Sequence, residues 1–139
     1  MQTVSNPPRV VVVGAGFGGM QAAQSLAQSG AEVLLIDRHN YNTFVPLLYQ
    51  VAAAQTAPES IAYPLRTVLR RAPRTRFLMA TVQSIDFAHQ VVETDDQVIP
   101  YDYLVLATGS QTQFLGVPGA VEHAFPLRTL AQATALRNH

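Results

Sequence analysis

The stretch Arg9-Val10-Val11-Val12-Val13-Gly14-Ala15-Gly16-Phe17-Gly18-Gly19-Met20 decides the fold. Four consecutive valines are β-branched and apolar on every side, the pattern of a strand buried on both faces of a parallel sheet. A glycine-rich loop follows. From Gly18 to about Ser29, Met20, Ala23, Leu26 and Ala27 recur at helical spacing, with Gln21, Gln24 and Gln28 on the wet side. Gly30 is a helix stop. Glu32–Ile36 reads as a second buried strand, and Asp37 ends it. Strand, glycine loop, helix and strand make one βαβ unit, so the class is α/β.

The spacing of the glycines matches a physical task. A dinucleotide pyrophosphate carries two negative charges close together, and a helix N-terminus offers N–H groups with a partial positive charge. Gly14 permits the tight turn out of the strand, Gly16 permits close approach of phosphate, and Gly19 lets the helix pack on the strand. Asp37 lies eighteen residues after Gly19, near the ~20 at which an acidic residue reaches an adenosine ribose. The first candidate site is therefore Gly14, Ala15, Gly16, Phe17, Gly18, Gly19, Asp37 and Arg38. NAD and FAD suit the loop equally. Asp37 disfavours a ribose 2′-phosphate by charge, and Arg38 keeps one open.

Outward from this unit the pattern is mixed. His39–Ala57 reads as a loop, then a short helical turn around Leu47–Ala53, because Pro46 forbids one continuous helix. Pro58 to about Arg71 reads as a helix that Pro64 kinks or splits. Then the period becomes two. Arg76–Thr81, Val82–Asp86, Gln90–Thr94 and Gln97–Ile99 read as strands, with turns at Phe87–His89 and Asp95-Asp96. Tyr103–Ala107 is a further buried strand, Gln111–Phe125 a loop, and Leu127–Asn138 a last helix.

Composition removes other chemistries. The 139 residues have zero formal net charge and no cysteine. All nine basic residues are arginine. There is no P-loop or Schiff-base lysine, no thiol nucleophile, no disulfide and no cysteine-held metal. Balanced charge argues against a nucleic-acid surface. His39, His89, His123 and His139 lack metal-ligand spacing, so no metal is expected. Arg66, Arg70, Arg71, Arg74 and Arg76 read as a solvated helix end. No apolar run approaches the ~20 residues that span a bilayer, and a cytoplasmic location is expected.

A second segment, Tyr101-Asp102-Tyr103-Leu104-Val105-Leu106-Ala107-Thr108-Gly109-Ser110, ends a strand in small residues. Such a turn beside the first loop lies where open α/β sheets bind ligands. A strand and Ala-Thr-Gly, downstream of the glycine loop and a β-meander, resembles the two-dinucleotide-binding-domain flavoproteins of the pyridine nucleotide-disulfide oxidoreductase superfamily. The resemblance implies a Rossmann-like FAD-binding domain, a parallel sheet with an antiparallel β-meander insertion. It implies that the first loop holds FAD and that Ala107, Thr108 and Gly109 sit near the flavin. Disulfide reductases of that superfamily carry a redox cysteine pair after the second strand. This chain reads Asp37-Arg38-His39-Asn40-Tyr41-Asn42-Thr43-Phe44-Val45-Pro46-Leu47-Leu48-Tyr49-Gln50-Val51-Ala52 there. That string and Pro126-Leu127-Arg128-Thr129-Leu130 are similar to type II NADH dehydrogenases, the non-pumping NADH:quinone oxidoreductases, and the likeness runs from Arg9 to His139. It implies an enzyme in which FAD takes hydride from NADH and passes electrons to a quinone. It places Phe44–Gln50 beside the flavin or the quinone entrance, core packing being the other reading of this apolar stretch, with Pro46 as a cofactor contact and Val82 as another. It assigns no catalytic side chain.

Members of that family are much longer. The resemblance implies an NADH-binding domain after a helix like Leu127–His139, and a later region that completes the quinone site and makes peripheral contact with the cytoplasmic face of the membrane. The fold is thus expected to be incomplete: residues 1–8 a flexible N-terminus, 9–126 the N-terminal part of an FAD/NAD(P)-binding domain, and 127–139 a helix leading to the NADH-binding domain. By itself the chain is expected to be inactive toward NADH and to self-associate through uncovered apolar sheet surface. Two rival readings stand beside this one. They are a non-catalytic dinucleotide-binding module, and a flavin reductase with a ferredoxin, rubredoxin or sulfide partner.

Overall fold

A computed structural model describes residues 6–70 and 72–139. The elements run β1 (Arg9–Val13), α1 (Phe17–Gln28), β2 (Glu32–Asp37), β3 (Tyr41–Thr43), α2 (Leu48–Ala52), β4 (Ala62–Pro64) and α3 (Leu65–Leu69). They continue as β5 (Thr75–Met79), β6 (Val82–Asp86), β7 (Val91–Thr94), β8 (Val98–Pro100), β9 (Tyr103–Leu106), α4 (Ala120–His123) and α5 (Leu130–Asn138). Two compact units share them. One holds the chain up to Asn42 and Pro64–Gly109; the other holds Thr43–Tyr63 and Ser110–His139.

The first unit is built on a parallel sheet in the order β5-β2-β1-β9. Side chains alternate across a strand, which explains the four valines of β1. Val10 and Val12 pack with Val33 and Leu35 of β2, Met20, Ala23 and Ala27 of α1, and Leu65 and Leu69 of α3. Val11 and Val13 pack with Ile36, Ala80, Val92, Ile99 and Tyr101. Val92 and Ile99 belong to the antiparallel sheet β6-β7-β8, which covers that face. Each valine, leucine, isoleucine or methionine among them contributes about 1.5–3 kcal/mol by leaving water.

The second unit has a smaller core. Leu48 and Val51 of α2 meet Ile61 and Ala133, flanked by Leu47, Ala52 and Leu130.

Five expectations need correction. The expected helix Pro58–Arg71 is a 3-10 turn at Pro58–Ile61, then β4, then α3. Pro64 lacks an N–H and drives the residue before it into extended backbone, so a helix can start only after it. Arg71 lies outside the described residues, as do residues 1–5 of the expected flexible N-terminus. The segment expected from Arg76 to Thr81 is β5, which joins the parallel sheet beside β2. The loop after Asp37 contains β3, paired with β4, and the loop Gln111–Phe125 contains α4. The last helix starts at Leu130 instead of Leu127. There Thr129 accepts from the Gln132 N–H and Gln132 reaches back, a reciprocal cap that fixes the first turn. Among the described residues, no helix is long and apolar enough to cross a membrane.

Candidate functional site

β1 ends where Gly14 takes a φ of +101°, a conformation that an L side chain resists. A Cβ there would also stand 2.3 Å from the Ala107 carbonyl oxygen. Its absence lets the loop touch the turn after β9. The Gly14 N–H donates to the Ile36 carbonyl at 2.8 Å, and the Ala107 N–H donates to the Val13 carbonyl at 2.8 Å. These two bonds gather the carboxyl ends of β1, β2 and β9. A Cβ on Gly19 would lie 1.7 Å from the Gly14 carbonyl oxygen, so the first turn of α1 sits directly on the loop.

Gly16 is different. Its φ is −72°, which any residue adopts, and a Cβ there would meet nothing within 4 Å. Packing within the protein gives no reason for a glycine at this position. Its place as the N-cap of α1 favours glycine over alanine or valine, and a ligand approaching the backbone closely would require it. No side chain caps α1, and the N-terminus of such a 12-residue helix carries a partial positive charge that suits an anion. Among the described residues the Gly16 N–H has no partner.

Asp37, which ends β2, is held by the backbone. Its Oδ2 accepts the Ala15 N–H at 2.7 Å and its Oδ1 accepts the His39 N–H at 2.8 Å. A carboxylate has about four lone-pair sites. One is used on each oxygen, and His39 Nδ1 stands 3.6 Å from Oδ1, so each oxygen keeps capacity to accept a further hydrogen bond, as a ribose diol requires. Arg38 follows on the exposed side. The residues therefore fit an adenosine diphosphate moiety, with loop amides for the phosphates and a fixed carboxylate for the ribose.

Asn42 has no motif or spacing to announce it. Its Nδ2 donates to the Ala15 carbonyl at 2.5 Å, across 27 residues of sequence. Ala15 is thus held on both sides.

The other candidate residues divide. Ala107 is half-buried, Thr108 is exposed, and Gly109 has a φ of +75°, so the turn leaves the sheet at once. Val82 opens β6, shortly after Met79, the β5 residue that pairs with Asp37. The Val82 side chain packs against the second core cluster. Pro46 lies in the 3-10 turn Val45–Leu47 of the other unit. Among the described residues no group of three His, Asp or Glu is placed to hold a metal.

The strong charge pair sits at the opposite end of β1. Arg9 Nη2 donates to Asp102 Oδ1 at 2.8 Å, and the Arg9 backbone N–H donates to Oδ2 at 2.7 Å. The Arg9 guanidinium, with that N–H, holds the Asp102 carboxyl down at about 2.

The profile of the pyridine nucleotide-disulphide oxidoreductase family matches residues 8–139. The type II NADH:quinone oxidoreductase Ndh of Mycobacterium tuberculosis is 35% identical over 143 residues, covering 98% of this chain and 31% of that protein. The type II NADH:quinone oxidoreductase of Staphylococcus aureus is 30% identical over 135 residues, covering 94% and 33%. The chain spans about a third of the length of these relatives. Among solved structures, the sulfide:quinone oxidoreductase of Aquifex aeolicus superposes with a TM-score of 0.86 at 30% identity, covering 94% of this chain and 31% of that one. NDH2 of Plasmodium falciparum shares the fold, with a TM-score of 0.85 at 21% identity, covering 95% and 28%.

Proposed function

The chain belongs to the pyridine nucleotide-disulphide oxidoreductase family, and from that premise we propose that residues 9–126 form the N-terminal part of an FAD-binding domain. The protein containing it would be a flavin-dependent NADH dehydrogenase that passes electrons from NADH to a quinone. Similarity to the two NADH:quinone oxidoreductases supports this. A quinone acceptor and a place at the cytoplasmic face of a membrane belong to the same proposal. So does self-association of the chain, for which Tyr103 and Leu106 lie exposed on edge strand β9.

The bound flavin would supply the redox chemistry. The part of the chain is to bind and orient. Gly14–Gly19 would receive the pyrophosphate on the amides around Gly16 and the start of α1. Asp37 would accept two hydrogen bonds from the adenosine ribose, with Arg38 beside it. Ala107, Thr108 and Gly109 would border the path of the cofactor toward the flavin ring. Pro46 and Val82 complete the proposed contacts.

The observation that carries this reading is the open space at Gly16. In titrations of the chain with FAD and with ADP, both are expected to bind. Gly16→Val should weaken both by tenfold or more, with about 1.4 kcal/mol for each factor of ten, while stability falls only by an N-cap exchange, on the order of 0.5–1 kcal/mol. Absence of binding, or binding indifferent to Gly16→Val, would overturn it. A sulfide-oxidising enzyme is the second reading, favoured by the 0.86 superposition. In a protein that contains this chain together with the NADH-binding domain, reduction of the bound flavin by sulfide and not by NADH would select it.

A further inference from the structure

We propose that Asn42 is a positioning residue that aims the Gly16 amide at the pyrophosphate, an inference that rests on the nucleotide-binding reading above. Ala15 belongs to two peptide groups. Its N–H is part of the Gly14–Ala15 peptide and is held by Asp37 Oδ2 at 2.7 Å. Its carbonyl is part of the Ala15–Gly16 peptide and accepts from Asn42 Nδ2 at 2.5 Å. A trans peptide is planar, with its C=O and N–H pointing in opposite directions, and no cis peptide occurs among the described residues. Fixing the Ala15 oxygen toward Asn42 therefore turns the Gly16 N–H directly away from Asn42. That N–H has no partner among the described residues, and the space about Gly16 is open.

The same geometry works on the preceding peptide. With the Ala15 N–H held by Asp37, the Gly14 carbonyl points the other way. That is toward Gly19, where a Cβ would stand 1.7 Å from it. Two side chains thus set two successive peptide planes.

The loop needs that control. Glycine occupies φ of either sign with little cost, so the Ala15–Gly16 peptide, whose flip turns ψ of Ala15 and φ of Gly16, can flip. Flipped, it would present a carbonyl oxygen to a polyanion. Asparagine suits the task because the Ala15 oxygen can only accept, and the amide nitrogen must face it. An ionised aspartate at this position would have no donor.

The test uses amide-resolved NMR titrations of the full chain, with ADP as the pyrophosphate probe and adenosine as the control. Asn42→Leu should weaken ADP about tenfold or more, the scale of one hydrogen bond to a charged group, and leave adenosine unchanged. Asn42→Asp should weaken ADP at neutral pH. Its affinity, as a ratio to wild type at each pH, should recover as pH falls through the usual carboxyl range near ~4, where a protonated acid regains a donor. Asn42→Leu should show no recovery. In the wild-type chain the Gly16 amide resonance should move with ADP and stay with adenosine, a readout that needs no variant to fold. Equal weakening of both probes, no weakening, or a stationary Gly16 amide in the ADP complex would overturn the role of Asn42 and leave nucleotide binding intact. Failure of the wild-type chain to bind ADP and FAD would overturn both.

Discussion

The two units rest on unequal cores. In the first, β1 is covered on both faces, by α1 and α3 on one side and the β6-β7-β8 sheet on the other. In the second, four buried side chains, Leu48, Val51, Ile61 and Ala133, form the whole cluster. Large apolar side chains stay in water in both units, Phe87 and Tyr103 in the first, Val121 and Leu115 in the second, the last 90% exposed. The glycine loop and Asp37 belong to the first unit. Amides that must meet phosphate within a fraction of an ångström need rigid strand ends beneath them. The second unit, with fewer buried side chains in its cluster, is expected to open at lower free energy than the first.

The severest test of that contrast is a cavity in each core. Leu35 is fully buried in the sheet. Leu35→Ala should cost about 2–5 kcal/mol and speed amide exchange throughout β1, β2 and α1. Leu48→Ala, in the smaller cluster, should fall near the low end of that range, about 2 kcal/mol, because a small cluster collapses more easily around a void. Its exchange effect should be confined to α2 and α5. Hydrogen exchange read by mass spectrometry distinguishes them. If Leu48→Ala unprotects β1 as strongly as Leu35→Ala does, the division into unequal cores is wrong.

A smaller effect separates two glycines of one loop. Gly19→Ala drives a Cβ into the Gly14 carbonyl and should cost about 1–3 kcal/mol or more. Gly16→Ala meets no protein atom. It should cost only an N-cap exchange, on the order of 0.5–1 kcal/mol, and weaken ADP binding. Equal losses of stability would mean that Gly16 serves the fold and not a ligand.

These glycines also mark what a sequence can reveal. The βαβ unit was legible because its code is local: four valines, a glycine run and a helical period lie within one stretch. Gly14, Gly16 and Gly19 could be given separate duties from spacing alone, and the contacts around Gly14 and Gly19 match those duties. Pro64 was legible as an interruption, but not as the start of α3, because β4 depends on pairing with β3. The place of β5 beside β2 was equally hidden, since alternation looks alike in parallel and antiparallel strands. Asn42 was invisible for a related reason. Its hydrogen bond spans 27 residues and carries no periodic signature. The reciprocal cap at Thr129 and Gln132 had a local signal, Thr-x-x-Gln, that would have moved the helix start to Leu130. Thr129→Ala should cost about 1 kcal/mol and unprotect the first turn of α5 without changing exchange in β1.

The smallest effect comes from the far end of β1, where Arg9 ties the strand to Asp102. The carboxyl of Asp102 is pulled from 3.8 to about 2, first by the Arg9 side chain and then by the Arg9 backbone N–H. A carboxyl depressed on folding gives stability that is fully present above its unfolded pKa and lost as pH falls through the folded one. The loss therefore runs from about pH 3.8 down past pH 2. The pair is exposed to solvent, so salt should screen it. Asp102→Asn should flatten that acid limb in a melting-temperature profile, and concentrated salt should flatten it in the wild-type chain. The pair Asp86 and His89 supplies the contrasting case. The His89 imidazole is raised above 6.5 by its hydrogen bond to Asp86, so its contribution is present below 6.5 and lost as pH rises through the raised value. Asp86→Asn should remove that slope near neutrality. Neither substitution touches the carboxyl ends of the strands, and ADP affinity at neutral pH should be unchanged in both. A loss of ADP binding in Asp102→Asn would show that the two ends of β1 are coupled and that the rigid unit transmits strain along its central strand.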